Sequence, residues 1–513
     1  MSANTIMIII AIVGYLLLTL FIGIRFSRSN HDTGDFYLGG RKLGPFVTAM
    51  SAEASDMSSY LLMGLPGLAY LSGLADVAWT AIGLAIGTWL NWLIVARRIR
   101  HYSQEIGAIT IPEFFSKRYH DEKNVLTLIA GIVIVIFFIP YTASGFAACG
   151  KLFSSLFGVD YIVAMIVFAA VIIAYTTLGG FLAASTSDLI QSIVMTVALI
   201  AILGFGISVA GGMDKVIENA RTLPGYLAMN QTYVADTGSA APYGPITVIS
   251  TMAWGLGYFG MPHILLRFMA IKDRGKLVLS RRIASVWVVI SMGIAILIGI
   301  VGLGASAAGA IPALSGSGTE TVIIELSSRL SQNGILPALI AGIVLAGILA
   351  ATMSTADSQL LAASSSVSEN IVSQFLKREM SKRKSLIIAR VTVIIISVIA
   401  VFLARDPDSN IFTIVSFAWA GFGAAFGPVV LLALFWRKGN KYGAIFGMAA
   451  GGIMVFLWKY LVRPIGGAFN IYELLPAFVV ALLVNITVSL ATGGEKKEVT
   501  KEYDKIIENY KKV

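Results

Sequence analysis

Long apolar runs, each near the ~20 residues that a helix needs to cross ~30 Å of hydrocarbon, recur along the whole chain. Read in order, they predict thirteen spans, near residues 5–27, 45–72, 76–97, 124–153, 160–179, 188–211, 246–271, 283–312, 333–372, 386–404, 411–436, 442–463 and 473–492. The expected fold class is an all-α multi-pass membrane protein. The first run opens on Met-Ser-Ala-Asn-Thr, without positive charge, and no small-residue cleavage site precedes Arg25, so it reads as a retained helix. Two stretches between runs, 212–245 and 313–332, are rich in Gly, Ser and Pro. They are too short for domains and suit lids or short interfacial helices.

Composition agrees with this pattern. Of 513 residues, 57% are hydrophobic and 13% charged, about half the ~25% charged share of a soluble domain. The net charge of +10 would raise nucleic acid binding in a soluble protein, but here topology accounts for it. With the N-terminus outside and the C-terminus in the cytoplasm, 31 of the 38 Lys and Arg fall in connections after odd-numbered spans or in the tail, as the positive-inside rule requires. The seven exceptions are Lys151, Lys215, Arg221, Arg329, Arg405, Lys459 and Arg463. The connection 180–187 holds no basic residue and says nothing. One cysteine, Cys149, and four scattered histidines, His31, His101, His120 and His263, leave no disulfide framework and no Cys/His metal cluster. The tail from Glu495 to Val513 alternates Lys and Glu, a short helical or frayed segment with no room for a signalling domain.

Two spans are interrupted. The second holds Ser51-Ala-Glu-Ala-Ser-Asp-Met-Ser-Ser59 followed by Gly64, Pro66 and Gly67, and the seventh holds Trp254-Gly-Leu-Gly-Tyr-Phe-Gly-Met-Pro262. Unwound backbone at mid-membrane binds ions and solutes in transporters built from inverted repeats, and it occurs at matching places in the two halves. The two breaks lie five spans apart, as repeats of five helices require. The implied organisation is a peripheral helix and loop (1–44), a first repeat (45–211), an external loop (212–245), a second repeat (246–436), two peripheral helices (437–492) and a cytoplasmic tail (493–513). Gly255-Leu-Gly-Tyr-Phe-Gly260 matches the dinucleotide fingerprint in form only, because no strand precedes it. The spacing of Gly83 and Gly87 suits helix packing, and the sequon Asn230-Gln-Thr232 is short enough to arise by chance.

Few residues in the spans carry chemistry. Asp56 lies inside the second, where an ionised carboxylate costs about 2.5 to 3.5 kcal/mol and needs a partner. It either caps the half-helix after the break or attracts an ion. Glu53 either lines a vestibule or is protonated. In the ninth span, Ala351, Ser354 and Thr355 stand at i, i+3 and i+4, so both hydroxyls share one helix face. Hydroxyl and carbonyl oxygens make a hard, weakly charged cage suited to sodium, unless the hydroxyls bond back to their own helix. Asp188 and Asp357 are either caps or vestibule residues, or ligands of a further cation beside Ser358. Trp254, Tyr258 and Pro262 recur every four residues, as packing or as the wall of a small-solute pocket.

Ser55-Asp-Met-Ser-Ser-Tyr-Leu-Leu-Met-Gly-Leu-Pro-Gly67, Pro262-His-Ile-Leu-Leu-Arg-Phe-Met269 and Met353-Ser-Thr355 closely resemble the sodium/solute symporter family, and within it the sodium/proline branch, over nearly the whole chain. The resemblance implies a LeuT-type core of five plus five helices and coupling of sodium entry to solute uptake by alternating access at the cell membrane. It implies a sodium site of Ala54, Met57 and Ala351 carbonyls with Ser354 and Thr355 hydroxyls, and sodium coupling through Asp56 with Ser58 beside it. Proline would lie against Tyr141, Trp254, Tyr258 and Pro262. Arg41 and Asp188 match positions with less direct roles. Three residues depart from the branch: Ser59 replaces Gly, Tyr60 replaces Trp, and Asp357 replaces a neutral residue, which leaves open a further cation site at Asp188, Asp357 and Ser358. Sodium and a small solute, proline or another compatible solute, are the expected partners, with the bilayer around them. No organic cofactor, nucleic acid or obligatory protein partner is expected. A channel would need a continuous polar pore, and an enzyme a nucleophile with a base or a metal cage; neither pattern is present.

Overall fold

The computed structural model describes residues 2–27, 33–377 and 381–511. Arg28, His31, Arg378 and Lys512, counted above, lie outside the described residues. Among the described residues, twenty α-helices follow one another. The first eight are α1 (Ala3–Ser27), α2 (Thr33–Leu38), α3 (Pro45–Ser59), α4 (Leu65–Ser72), α5 (Leu74–Leu90), α6 (Ala96–Glu105), α7 (Ile111–Arg118) and α8 (Val125–Phe157). Then come α9 (Tyr161–Val209), α10 (Met213–Thr222), α11 (Pro245–Met252), α12 (Pro262–Ala270), α13 (Leu277–Ala307) and α14 (Val322–Ser331). The last six are α15 (Ile335–Ser365), α16 (Lys382–Leu403), α17 (Ile411–Phe435), α18 (Lys441–Leu457), α19 (Leu474–Ala491) and α20 (Lys497–Lys511). One antiparallel hairpin, β1 (Gln231–Val234) with β2 (Ser239–Pro242), pairs Gln231 with Pro242 and Val234 with Ser239.

Ten helices among the described residues are long and apolar enough to cross a membrane, and Tyr161–Thr177 is a shorter apolar one. The two interrupted spans are absent from that group because no piece of either is long enough. In the first, α3 ends where Ser58 takes φ 48°, ψ −168°, and the chain resumes through a wide turn, Tyr60–Gly64, into α4. In the second, α11 gives way to tight 3₁₀ turns over Ala253–Gly260, an extended Met261, and then α12 with Pro262 in its first turn, where a missing N–H costs nothing. The glycines of this segment serve packing. A Cβ on Gly255 or Gly260 would collide with the backbone of Gly83 or Phe422, and one on Gly87 with that of Gly255. The dinucleotide-like run is therefore a close-approach surface for α5 and α17.

Two expectations are corrected, and for the tail the helical alternative holds. The connection expected at 180–187 does not exist: the chain turns at Gly180 alone (φ 67°, ψ −171°) and is helical again at once, because glycine takes positive φ without steric cost. Asp188 thus sits two turns inside a helix and does not open one. Arg267, counted above among residues of a cytoplasmic connection, lies within α12 with 1% of its surface exposed. The tail is a packed helix. Val499, Tyr503 and Ile506 of α20 are buried, the Tyr503 hydroxyl donates to the Leu434 carbonyl (3.0 Å), His101 Nε2 to the Ile506 carbonyl (3.1 Å), and the Arg118 guanidinium lies 4.5 Å over the Tyr503 ring.

The helix α15 runs through the middle of the molecule, packed against α9, α1, α8 and α3, while α17 joins α18 and α19 to the 253–260 segment. At one end of the molecule, residues 212–245 close over α4 and α5. The Tyr226 hydroxyl donates to the Ala69 carbonyl (2.7 Å), and its own carbonyl accepts from the Leu74 N–H (2.7 Å). The stretch, expected as a lid or short interfacial helices, folds as α10 plus the hairpin. Beside it Glu320, its carboxyl pushed up by burial, is held by Lys151 at 2.8 Å and by the Phe412 N–H at 3.1 Å.

Candidate functional site

The break in α3 brings its last turn against the middle of α15. Ser354 Oγ donates to the Ala54 carbonyl at 2.8 Å and lies 3.0 Å from the Ala351 carbonyl, which also accepts from Thr355 Oγ1 at 3.2 Å. Four of the five oxygens assigned to sodium are therefore linked to one another, all of them buried. The fifth, the Met57 carbonyl, accepts from the Tyr60 N–H across the break. Both hydroxyls bond back to their own helix, and Ser354 Oγ also reaches a carbonyl of the other.

Asp56 is 5% exposed. Its Oδ2 accepts from the Tyr258 hydroxyl at 2.5 Å, and its carbonyl from the Tyr141 hydroxyl at 3.1 Å. The acid and two of the four residues assigned to solute thus form one unit across α3, α8 and the 253–260 segment. Ser58 Oγ accepts from the Tyr60 N–H at 3.1 Å, so it caps the chain as it turns; the cap lies at Ser58 and not at Asp56. Trp254 stacks on Tyr60 (5.6 Å between centroids) and on Tyr472 (5.3 Å), and its carbonyl accepts from Trp419 Nε1 at 2.8 Å. Pro262 is buried in the first turn of α12. Glu53 is buried and accepts from Trp92 Nε1 at 2.9 Å, so it does not line a vestibule.

A second cluster lies one turn nearer the start of α3, at Ser51, three residues before Ala54 and so on the same helix face. Asp188 Oδ2 accepts from Ser51 Oγ at 2.6 Å and from Arg267 Nη2 at 3.1 Å. The same guanidinium reaches Ser358 Oγ at 2.5 Å, Ser51 Oγ at 3.0 Å and the His263 carbonyl at 3.0 Å. Asp357 Oδ1 accepts from Ser358 Oγ at 3.1 Å, while Asp357 Oδ2 and Asp188 Oδ1 are buried without hydrogen-bond partners. The residues named for a further cation are therefore together, with a guanidinium among them that sequence reasoning placed in a loop. Its signal was legible: Arg267 is the sole charge in the run from Met261 to Ile271, too isolated for a cytoplasmic connection. Asn91, whose Nδ2 donates to the Tyr258 carbonyl at 2.9 Å, was also missed, and a lone Asn in an apolar span gave no hint of its partner.

Arg41 stands apart from both clusters, at the other end of α3. Its guanidinium donates to the carbonyls of Met269 and Ala108, each at 2.6 Å, and to Ser103 Oγ and its carbonyl, each at 3.2 Å. Burial, helped by neighbouring Arg100, lowers its pKa to about 10, so it stays charged at neutral pH. Next to it Leu43 pairs with the chain after α12, its N–H on the Ala270 carbonyl (3.2 Å) and its carbonyl on the Lys272 N–H (2.9 Å). These two bonds tie the chain before α3 to the end of α12.

Known proteins share both sequence and architecture with this chain. Residues 36–451 match the model of the sodium:solute symporter family. The chain is 41% identical over 506 residues to the sodium/proline symporter of Haemophilus influenzae, covering 97% of each protein. It is 39% identical over 491 residues to the osmoregulated proline transporter OpuE of Bacillus subtilis, covering 96% of each. Among solved structures, a sodium-coupled sialic acid symporter, described as substrate-bound and outward-open with a novel sodium site, superposes with a TM-score of 0.77 at 17% identity, covering 97% of this chain and 99% of that one. The chain is a polytopic membrane protein and belongs to the sodium:solute symporter family.

Proposed function

We propose that this protein is a secondary active transporter of the plasma membrane that couples inward sodium movement to uptake of L-proline by alternating access. The observation that carries the reading is the bond from Ser354 Oγ to the Ala54 carbonyl, which joins the hydroxyl pair of α15 to the turn of α3 that carries Asp56. A cation at this junction would take oxygens from Ala54, Met57, Ala351, Ser354 and Thr355, with Asp56 close enough to compensate its charge. Because Asp56 is bonded to Tyr258 and Tyr141, a change at the sodium site is felt at the solute wall. That is the differential interaction that shifting a population between states requires. The names of the relatives support proline as solute. Solute and ion leave unchanged, and no covalent step is involved.

We count the ten long helices, the shorter Tyr161–Thr177 and the two interrupted segments as thirteen crossings, with the N-terminus outside and the C-terminus cytoplasmic. In this reading the core is two repeats of five helices, residues 45–211 and 246–436. One entering charge supplies about 2.3 kcal/mol at ~100 mV and a tenfold sodium gradient about 1.4 kcal/mol, together enough for roughly 500-fold accumulation. A second reading, another small compatible solute, is favoured by one observation: the hydroxyls of Ser59 and Tyr60, two of the departures from the proline branch, are buried without partners next to this wall. Uptake of labelled proline into proteoliposomes under an inward sodium gradient, with a Ser354→Ala/Thr355→Ala double variant, tests the proposal. Sodium-driven uptake lost in the variant supports it. Uptake that survives removes the ligand set, and absence of proline uptake by folded protein turns the search to other solutes.

A further inference from the structure

Between α3, α9 and α13 the surface opens into a groove of about 610 Å³, within the ~300 to 1,000 Å³ range of ligand sites. Its lining is apolar except for the hydroxyls of Ser192 and Thr196 and one charge, Arg282. Arg282, Val286 and Ile290 stand four residues apart on α13, so the groove follows that helix for about 12 Å at 1.5 Å per residue with the cation at one end. No acidic side chain lines it, and among the described residues Arg282 is exposed and carries no ion pair. The opposite wall is set by a hydrogen bond from Trp287 Nε1 to Thr196 Oγ1 (2.9 Å), which holds α13 to α9 and fixes the groove's floor. Its third side is Phe46 and Met50 of α3.

We infer that this groove binds an anionic phospholipid, one acyl chain lying along α13 and the headgroup phosphate on Arg282. An occupant must be apolar over most of its length and negative at one end, and it must reach the site from within the bilayer. An anionic lipid has all three properties. Its place in the cytoplasmic leaflet rests on the orientation proposed above; its binding does not. The consequence falls on α3: Met50 is one turn before Ala54, and the Ser280 hydroxyl of α13 donates to the Pro45 carbonyl at 2.8 Å. A chain seated there props the first turns of the helix whose end forms the sodium junction.

The test is lipid retention by the purified full-length protein, read by native mass spectrometry after exchange into mixed phosphatidylglycerol and phosphatidylcholine. Wild type is expected to keep one phosphatidylglycerol. In Arg282→Gln the preference for it over phosphatidylcholine falls about fivefold, the effect of one basic residue at the membrane surface. Ile290→Trp, which fills the groove, loses both lipids, and Arg405→Gln, remote from the groove, changes nothing. Equal retention in Arg282→Gln and wild type overturns the inference, as does an equal loss in Arg405→Gln. In the same vesicles, sodium-driven uptake by wild type rises with phosphatidylglycerol and that of Arg282→Gln does not. Retention is read without solute, so its failure is distinct from a failure of the transport reading.

Discussion

Two buried carboxylates, held about one turn apart along α3, stand in opposite circumstances. On one side of that turn, the Tyr258 hydroxyl donates to Asp56 and the nearby Ala54 carbonyl accepts from Ser354 of α15, and among the described residues no cationic side chain bonds to Asp56. On the other, Asp188 has the Arg267 guanidinium 3.1 Å away. An ionised buried carboxylate without a counter-charge is expensive; in the transport reading proposed above the first side takes its cation from outside, whereas the second carries its own. The same helix presents Ser51 to the Arg267 guanidinium and, one turn later, the Ala54 carbonyl to the Ser354 hydroxyl, where the proposed function puts the exchangeable cation. A transporter needs both kinds: one joint that lets go in each cycle and one that does not.

The largest expected effect comes from breaking the permanent joint. Arg267→Met leaves Asp188 and Asp357 buried together without a cation, which should destabilise the protein by about 3 to 5 kcal/mol, a large fraction of a typical ~5 to 15 kcal/mol. Thermal unfolding in detergent reads this, and Arg267→Met/Asp188→Asn should recover part of the loss. If the double variant is no more stable than the single one, Asp188 is not the partner that matters.

Next in size, Asp56→Asn should lower sodium-driven uptake about 100-fold while leaving unfolding temperature near wild type, because it removes a charge that has no counter-cation on the protein. The contrast with Arg267 lies in which measurement moves. A variant that unfolds early and binds sodium normally would show that the Asp56 carboxylate holds the fold and not the ion. Smaller again is Tyr258→Phe, which deletes the 2.5 Å bond to Asp56. Hydrogen bonds to charged groups contribute about 1.5 to 3 kcal/mol, so at least a ~10-fold rise in half-saturating solute is expected, measured as sodium-dependent uptake across solute concentrations.

How much of this was legible follows from the kind of signal each residue leaves. The interrupted spans were visible because Gly and Pro leave local marks. Ser354 and Thr355 were visible because helical spacing is enough to put two hydroxyls on one face. Glycine at 180 carried a mark too, but a local pattern cannot tell a loop from a single hinge residue, so Asp188 was misplaced at a helix start. Arg267 failed for another reason. Counting charge by connection assigns every Arg near a span end to water; the isolation of Arg267 in an apolar run spoke against that, but its partners on α3, α9 and α15 are distant in sequence and leave no local mark. Amphipathic α20 shows the same limit: its composition permits a frayed segment, and the buried face of Val499, Tyr503 and Ile506 has meaning only once α6 and α17 are in place.

The smallest expected effect bears most directly on the difference between the two sides. Asp357 adds a second carboxylate to the Arg267 cluster, and its Oδ2 has no partner, so one guanidinium faces two acids. If that cluster is a permanent joint, Asp357→Ser removes an unsatisfied buried group and should raise stability by about 1 to 3 kcal/mol, with sodium-driven uptake within about threefold of wild type. If it takes a further cation in the transport cycle, the same substitution lowers the steepness of the sodium dependence and the charge moved per solute. Uptake against sodium concentration, with current measured on the same vesicles, separates the two, because a joint that never releases its cation cannot contribute to either slope.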